Sequence, residues 1–201
     1  MLALELDVLL SAIATQHRME NRAEADATAH ALLTTQVPQA LTSRLPCPLD
    51  DEIRAVLATS DHPLARALLA AQGRMPWGTN PVKGTPGVSS TIFSVATLMG
   101  PEGPVPSPDF RMGFFFQRPD TYYPLHNHDA DETYVILAGS AIWTAGSDTR
   151  ERGPGDIIHH PSLMPHAFRT GPEGIVAMWR WSGDINTRSY AFLLDPQISV
   201  A

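Results

Sequence analysis

The sequence predicts a mainly β protein: a barrel or sandwich of short strands preceded by an α-helical extension. Three observations lead there. Short β-branched or aromatic runs recur from about residue 91 onward, and Gly/Pro turn signals separate them. Helical apolar spacing is confined to residues 1–75. The expected division is a helical extension over 1–75 packed on a barrel over 76–201, forming one structural domain.

In the first part, Leu6, Leu9, Leu10 and Ile13 recur at helical spacing, and Ala23 to Leu33 is alanine-rich. Asp50 or Asp51 is expected to cap a helix carrying Ile53, Val56 and Leu57. Ser60 is expected to cap another, with Leu64, Ala67, Leu68 and Ala71 on one side and Gly73 as its stop. These helices are expected to cover the outside of the barrel, where they can supply a homodimer face. His17, His30 and His62 lie on them and read as surface or core residues rather than ligands.

Residues 76–119 hold eight of the 18 prolines, among them Pro81, Pro86 and Pro119, so loops should connect short strands there. Thr91 to Met99 and Phe110 to Gln117 are those strands. Further strands are expected at Glu132–Leu137, Ala141–Ala145, Asp156–His159, His166–Thr170, Ile175–Trp181 and Tyr190–Leu194. Gly139, Gly146, Gly153-Pro154-Gly155, Gly171-Pro172 and Gly183 supply the breaks.

Composition narrows the function classes. Of 201 residues, 43% are apolar and 17% charged, as in an ordinary globular protein. The net charge is −7 and no Lys/Arg cluster occurs, which argues against a nucleic-acid partner. Cys47 is the only cysteine, so no intrachain disulfide forms, in keeping with a reducing compartment. Two acids interrupt the first seven residues, and no run approaches the ~20 apolar residues that span a bilayer. The expectation is a cytoplasmic protein with a small-molecule partner.

Five of the eight histidines fall between positions 126 and 166. His126 and His128 are two apart, which on a strand puts both imidazoles on one face. Glu132 follows, then Tyr134, two further on. A second block carries Gly155-Asp156, Pro161 and His166. Imidazole and carboxylate suit first-row divalent metals, and so few ligands leave positions open for water or substrate. The expected ligands to one divalent transition metal (zinc, iron(II), manganese or cobalt) are His128, Glu132 and His166, with His126 and Tyr134 alongside. His159 and His160 are adjacent and point opposite ways; both are read as non-ligands.

These two blocks resemble the cupin superfamily. Its first motif matches His126, His128, Glu132 and Gly139; its second matches Gly155, Asp156, Pro161 and His166. Leu163 stands where a glycine is common, and Thr170 where an asparagine is common. The resemblance implies a jelly-roll-like β-barrel. Together with the chain length and the helical N-terminus, Tyr123, His126, His128, Glu132 and Tyr134 form a run similar to that of the cupin-type dimethylsulfoniopropionate lyases of marine bacteria.

That second resemblance implies a zwitterionic substrate and a metal-dependent carbon–sulfur lyase reaction, a β-elimination yielding acrylate and dimethyl sulfide. A metal would bind the substrate carboxylate and a tyrosine would take the proton. Tyr123 and Tyr134 are the catalytic candidates, although Tyr122 rather than Tyr123 shares strand parity with His126; a bulge at Pro124 would reset the phase. Trp181, with Trp179 or Tyr122, is the expected surface for the sulfonium cation. Two other readings remain at this point: an iron-dependent dioxygenase, disfavoured by Tyr134 standing where oxygen would bind, and a non-enzymatic cupin that binds a small ligand.

Overall fold

The computed structural model describes residues 2–34, 41, 47–78 and 93–197. Four helices come first: α1 (Leu2–Met19), α2 (Ala23–Thr34), α3 (Asp50–Ala58) and α4 (Pro63–Ala71). Ten strands follow: β1 (Trp77–Gly78), β2 (Phe93–Gly100), β3 (Val105–Pro106), β4 (Arg111–Gln117), β5 (Tyr122–Asn127), β6 (Ala130–Ala145), β7 (Asp148–Arg152), β8 (Ile157–His160), β9 (His166–Gly183) and β10 (Ala191–Phe192). No helix among the described residues is long and apolar enough to cross a membrane. The expected positions Thr91, Pro81 and Pro86 lie outside the described residues.

Local chemistry sets the helix ends, with three corrections. Helix α4 is capped by His62, whose Nδ1 accepts the amide of Leu64 at 3.2 Å, with Pro63 in the first turn. Ser60, the expected cap, instead donates to the Leu137 carbonyl at 2.5 Å. Asp50 and Asp51 sit inside the first turn of α3 rather than capping it; Leu49 is the cap residue and supplies no side-chain bond. There the carboxylates favour the helix through its dipole. Helix α4 stops at Ala71 and tightens into a 3₁₀ turn over Gln72–Arg74, which contains Gly73.

Strand β9 is the spine of the sheet. It pairs antiparallel with β6 on one side and with β4 and β5 on the other, so one strand serves both halves of the barrel. The breaks expected at Gly139 and Gly171-Pro172 are not chain breaks: β6 and β9 continue through them, with register shifts between Ile136 and Ala138 and between Gly139 and Ala141. Gly139 has φ +73°, and a Cβ there would lie 1.9 Å from the Gly174 carbonyl oxygen. The glycine of the first motif is therefore required by a left-handed backbone and by close strand approach at the bend.

Two apolar clusters lie on opposite faces of this sheet. Inside the barrel are Phe115, Tyr123, Tyr134, Trp143, Phe168, Trp179 and Trp181. Outside, Phe114, Phe116, Val135, Leu137 and Met178 pack with Leu6, Leu9 and Ile13 of α1, Leu57 of α3 and Leu68 of α4. Alternate residues of β4 thus face the barrel interior and the helices, which is why all seven of its residues are buried. Behind the inner wall, fully buried Arg180 donates to Glu20 at the end of α1 at 2.7 Å, to Ser182 at 2.9 Å and to Thr133 at 3.1 Å. Glu20 also faces His17 at 2.9 Å, so this histidine is a buried core residue.

Candidate metal centre and cavity

His126 and His128 end β5 and its continuation, Glu132 enters from the start of β6, and His166 opens β9. His126 pairs with His166 across β5 and β9, while Glu132 lies opposite Trp181 of β9 and His160 of β8. Ligand atoms of His128, Glu132 and His166 all fall within 4.8 Å of one another, and all three residues are buried. The His126 ring stands 4.0 Å from that of His166, beside this group.

The hydrogen bonds fix where each imidazole carries its hydrogen. Nδ1 of His126 meets the Pro124 carbonyl at 2.7 Å, Nδ1 of His128 the Ala130 carbonyl at 3.1 Å, and Nδ1 of His166 the Met164 carbonyl at 2.9 Å. A carbonyl only accepts, so Nδ1 is the donor and Nε2 keeps a bare lone pair in each neutral ring. Nε2 of His128 and Nε2 of His166 both lie 3.2 Å from Oε2 of Glu132. Lone pairs facing a carboxylate oxygen in a buried site repel unless a positive charge sits between them. Nε2 of His166 has no hydrogen-bond partner among the described residues. The donor set, its preset tautomers and this orphaned nitrogen all fit a divalent cation.

Burial alone would push the Glu132 carboxyl up, but the surrounding His128, His160 and His166 hold it well below the usual carboxylate range. Burial, reinforced by neighbouring His166, drops His126 well below the ordinary imidazole range.

A cavity of about 440 Å³, including its open mouth, lies against this cluster. His126, Glu132, Tyr123, Tyr134, Trp179 and Trp181 line it, as do Tyr190, Arg111 and Thr187. Tyr123 reaches the interior because β5 carries a bulge: Tyr123 pairs with Phe168 and His126 with His166, three residues against two. The same bulge corrects the expectation for Tyr122. Tyr122 is not among the lining residues; its hydroxyl donates to Asp195 at 2.7 Å and its ring lies under Arg169 at 4.5 Å. Trp179 and Trp181 do share the inner face, their rings 6.0 Å apart.

Sequence reasoning passed over four residues. Tyr190 arrives from the segment before β10, places its hydroxyl 2.6 Å from that of Tyr123 and stacks on His126 at 4.9 Å. Arg111 donates to the Ile185 carbonyl at 2.8 Å and grips Glu102 with both guanidinium ends. Thr187 lies on the same C-terminal segment. His160, read as a bystander, points inward and meets Oε2 of Glu132 at 3.2 Å, whereas His159 faces Asp131 on the other side at 2.8 Å. Only the parity of the His159-His160 pair hinted at this; nothing local marked Tyr190, Arg111 or Thr187.

The sequence profile of the dimethylsulfoniopropionate (DMSP) lyase family matches residues 16–177, most of the chain. The chain belongs to the DMSP lyase family. It is 40% identical to the DMSP lyase DddQ of Ruegeria pomeroyi over 96 residues, which are 47% of this chain and 48% of that protein. The aligned stretch thus spans about half the length of that relative. The crystal structure of DddQ from Ruegeria pomeroyi superposes with a TM-score of 0.66 and 26% identity, covering 94% of this chain and 98% of that one. A chain from the crystal structures of the DMSP lyases RdDddP and RnDddQII gives a TM-score of 0.73 at 22% identity, covering 96% and 99%, and supports the fold. Family membership and these structures agree with the cupin barrel and its helical extension.

Proposed function

We propose that the chain is a metal-dependent carbon–sulfur lyase that splits dimethylsulfoniopropionate into acrylate and dimethyl sulfide by β-elimination. Family membership supports the reaction. The observation that carries the reading is the cavity: His126 and Glu132 of the candidate metal cluster lie on its wall, and the indoles of Trp179 and Trp181 line the same space. A zwitterion needs these two surfaces, one for its carboxylate and one for its sulfonium.

His128, Glu132 and His166 would hold the ion, with His126 and Tyr134 at its open side. A divalent ion there would supply Lewis-acid stabilisation for the charge that grows on the substrate carboxylate. Zinc, iron(II), manganese and cobalt all suit nitrogen and carboxylate donors. Tyr134 is buried beside Glu132, and burial, aided by that negative charge, raises its hydroxyl well above the phenol range. Its oxygen becomes a useful donor only next to a cation, which suits a ligand or assisting role.

Tyr123 is the proposed base. Its phenolate takes the proton from the carbon beside the carboxylate; the C–H pair forms the C=C bond, and the C–S pair leaves with sulfur as neutral dimethyl sulfide. Burial, with Tyr123 next to it, holds the Tyr190 hydroxyl well above the ordinary phenol range. Tyr190 therefore keeps its hydrogen and can donate it to a Tyr123 phenolate across the 2.6 Å separation. Trp181 and Trp179 exclude water and present cation-binding faces.

The test is headspace detection of dimethyl sulfide, with acrylate assayed in solution, after metal-free protein is reloaded with each of the four ions in turn. Tyr123→Phe should lower turnover by about 10²- to 10⁴-fold, the usual worth of a positioned general base. Silence from every loaded form would sink the lyase reading; undiminished turnover in Tyr123→Phe would sink the base assignment alone. Oxygen consumption coupled to turnover would favour a dioxygenase.

A further inference from the structure

His160 belongs to no part of the mechanism above, yet it is buried against the carboxylate at the centre of the cluster. Its ring stacks on that of His166 at 4.0 Å and 13°, so its plane is fixed by packing. Its Nε2 lies 3.0 Å from Nε1 of Trp143, itself buried at 1% exposure. An indole N–H only donates, so Nε2 of His160 must accept and the hydrogen of the neutral ring must reside on Nδ1. That N–H points at Oε2 of Glu132, 3.2 Å away. The other oxygen, Oε1, receives the indole N–H of Trp181 at 2.6 Å.

We infer that His160 is a positioning residue for Glu132, its proton placed by Trp143, so that a Trp143–His160–Glu132 chain orients the carboxylate toward Nε2 of His128 and His166. Trp181 holds one carboxylate oxygen and His160 the other, which leaves the carboxylate plane little freedom to rotate. Outer partners of this kind typically govern metal affinity by 10- to 100-fold, because they orient the ligand before the ion arrives. His160 itself keeps no lone pair toward the cluster: one nitrogen carries the hydrogen that faces Glu132, and the other is committed to Trp143. The inference rests on the metal-centre reading of the site and assigns to that site a residue that neither cupin motif contains.

The experiment measures zinc affinity of folded, metal-free protein by competition with a chromophoric chelator, and records the visible spectrum of the cobalt(II) form. His160→Phe keeps the stack and removes the donor; its zinc affinity should fall 10- to 100-fold while the cobalt band position stays that of the wild type. His160→Asn places an amide N–H near the position of Nδ1 and should recover most of that loss. Trp143→Phe frees the tautomer and should cost a few-fold. Far-ultraviolet circular dichroism confirms folding, and if His160→Phe does not fold, the Trp143→Phe variant carries the test. Zinc affinity in His160→Phe and Trp143→Phe equal to that of the wild type overturns the inference. A shifted cobalt band in His160→Phe overturns it too, by making His160 a direct ligand. Wild-type protein that binds neither ion fails at the metal centre itself, a different result from a normal wild type with indifferent variants.

Discussion

Arg180→Met should destabilise the whole chain, because it strands a charge where water cannot reach it. Both side chains of the Arg180–Glu20 pair are 0% exposed, and the guanidinium makes three side-chain hydrogen bonds, to Glu20, Ser182 and Thr133. Methionine fills similar volume and removes all three. Glu20 then faces His17 alone, and His17 is itself held below the ordinary imidazole range, chiefly by burial. Breaking a buried ion pair on one side costs about 3–5 kcal/mol. Total stability for a domain is about 5–15 kcal/mol, so the loss is a large fraction of it. With a urea dependence of about 1–3 kcal/mol per molar, the midpoint should drop by roughly 1–5 M. The double variant Glu20→Gln/Arg180→Met removes the orphaned charge and should recover part of the loss, giving a coupling energy of about 0.5–3 kcal/mol. Circular dichroism should follow the helices and tryptophan fluorescence the barrel, and the two midpoints should fall together, because the pair ties α1 to β9. A loss under about 1 kcal/mol, or two separated transitions, would refute the reasoning.

Other expectations follow from features already described. Gly139→Ala meets both a left-handed backbone and a 1.9 Å approach to the Gly174 oxygen, so urea unfolding should show a loss of about 2–5 kcal/mol. The metal-free protein should weaken in acid: burial lowers His17, His126 and His160, the last to about 4, so the unfolded chain binds more protons below pH 6.5. Stability present above that value is lost as pH falls through the window down to the folded values, by up to about 1.4 kcal/mol per pH unit for each group; urea midpoints that stay flat from pH 7 to pH 5 would contradict this. Trp181→Ala should raise the apparent KM for the sulfonium substrate about 2- to 30-fold, the worth of a cation–π contact of about 0.5–2 kcal/mol, while Trp181→Phe retains a weaker face. An unchanged KM in both variants would remove the tryptophan from the substrate site.

The sequence made the candidate metal site legible because its residues come in short blocks, each placed by one strand and its turn. His126, His128 and Glu132 span seven positions, and His166 is announced by its own Gly-Asp and Pro. The helices were legible for the same local reason: Leu6, Leu9 and Ile13 recur at the helical period and are buried. What was illegible depends on partners far along the chain. Tyr190 meets Tyr123 across 67 positions, and Glu132 meets His160 across 28. The merger of four expected strands into β6 and β9 follows from mutual register and bulges, which leave no mark on either strand alone. Ser60 looked like a cap because its side chain suits one; tertiary contact with Leu137 claimed it, and His62 took over.

One extra residue in β5 does two jobs at once. The bulge that absorbs it keeps Tyr123 facing inward, and it takes the backbone of Leu125 off the β9 ladder: the Leu125 amide donates to Asp195 at 2.8 Å and its carbonyl accepts from Leu193 at 2.9 Å. The insertion is therefore also the anchorage for the segment that delivers Tyr190. A chain shortened by deleting Leu125 would become regular there and still aim Tyr123 at the interior, yet it would lose both Leu125 backbone bonds and leave the Tyr122–Asp195 bond and the β5–β10 pairing to hold the C-terminal segment. Single-residue length variation at this point would thus loosen the hold on the Tyr190 hydroxyl while keeping that of Tyr123 in place.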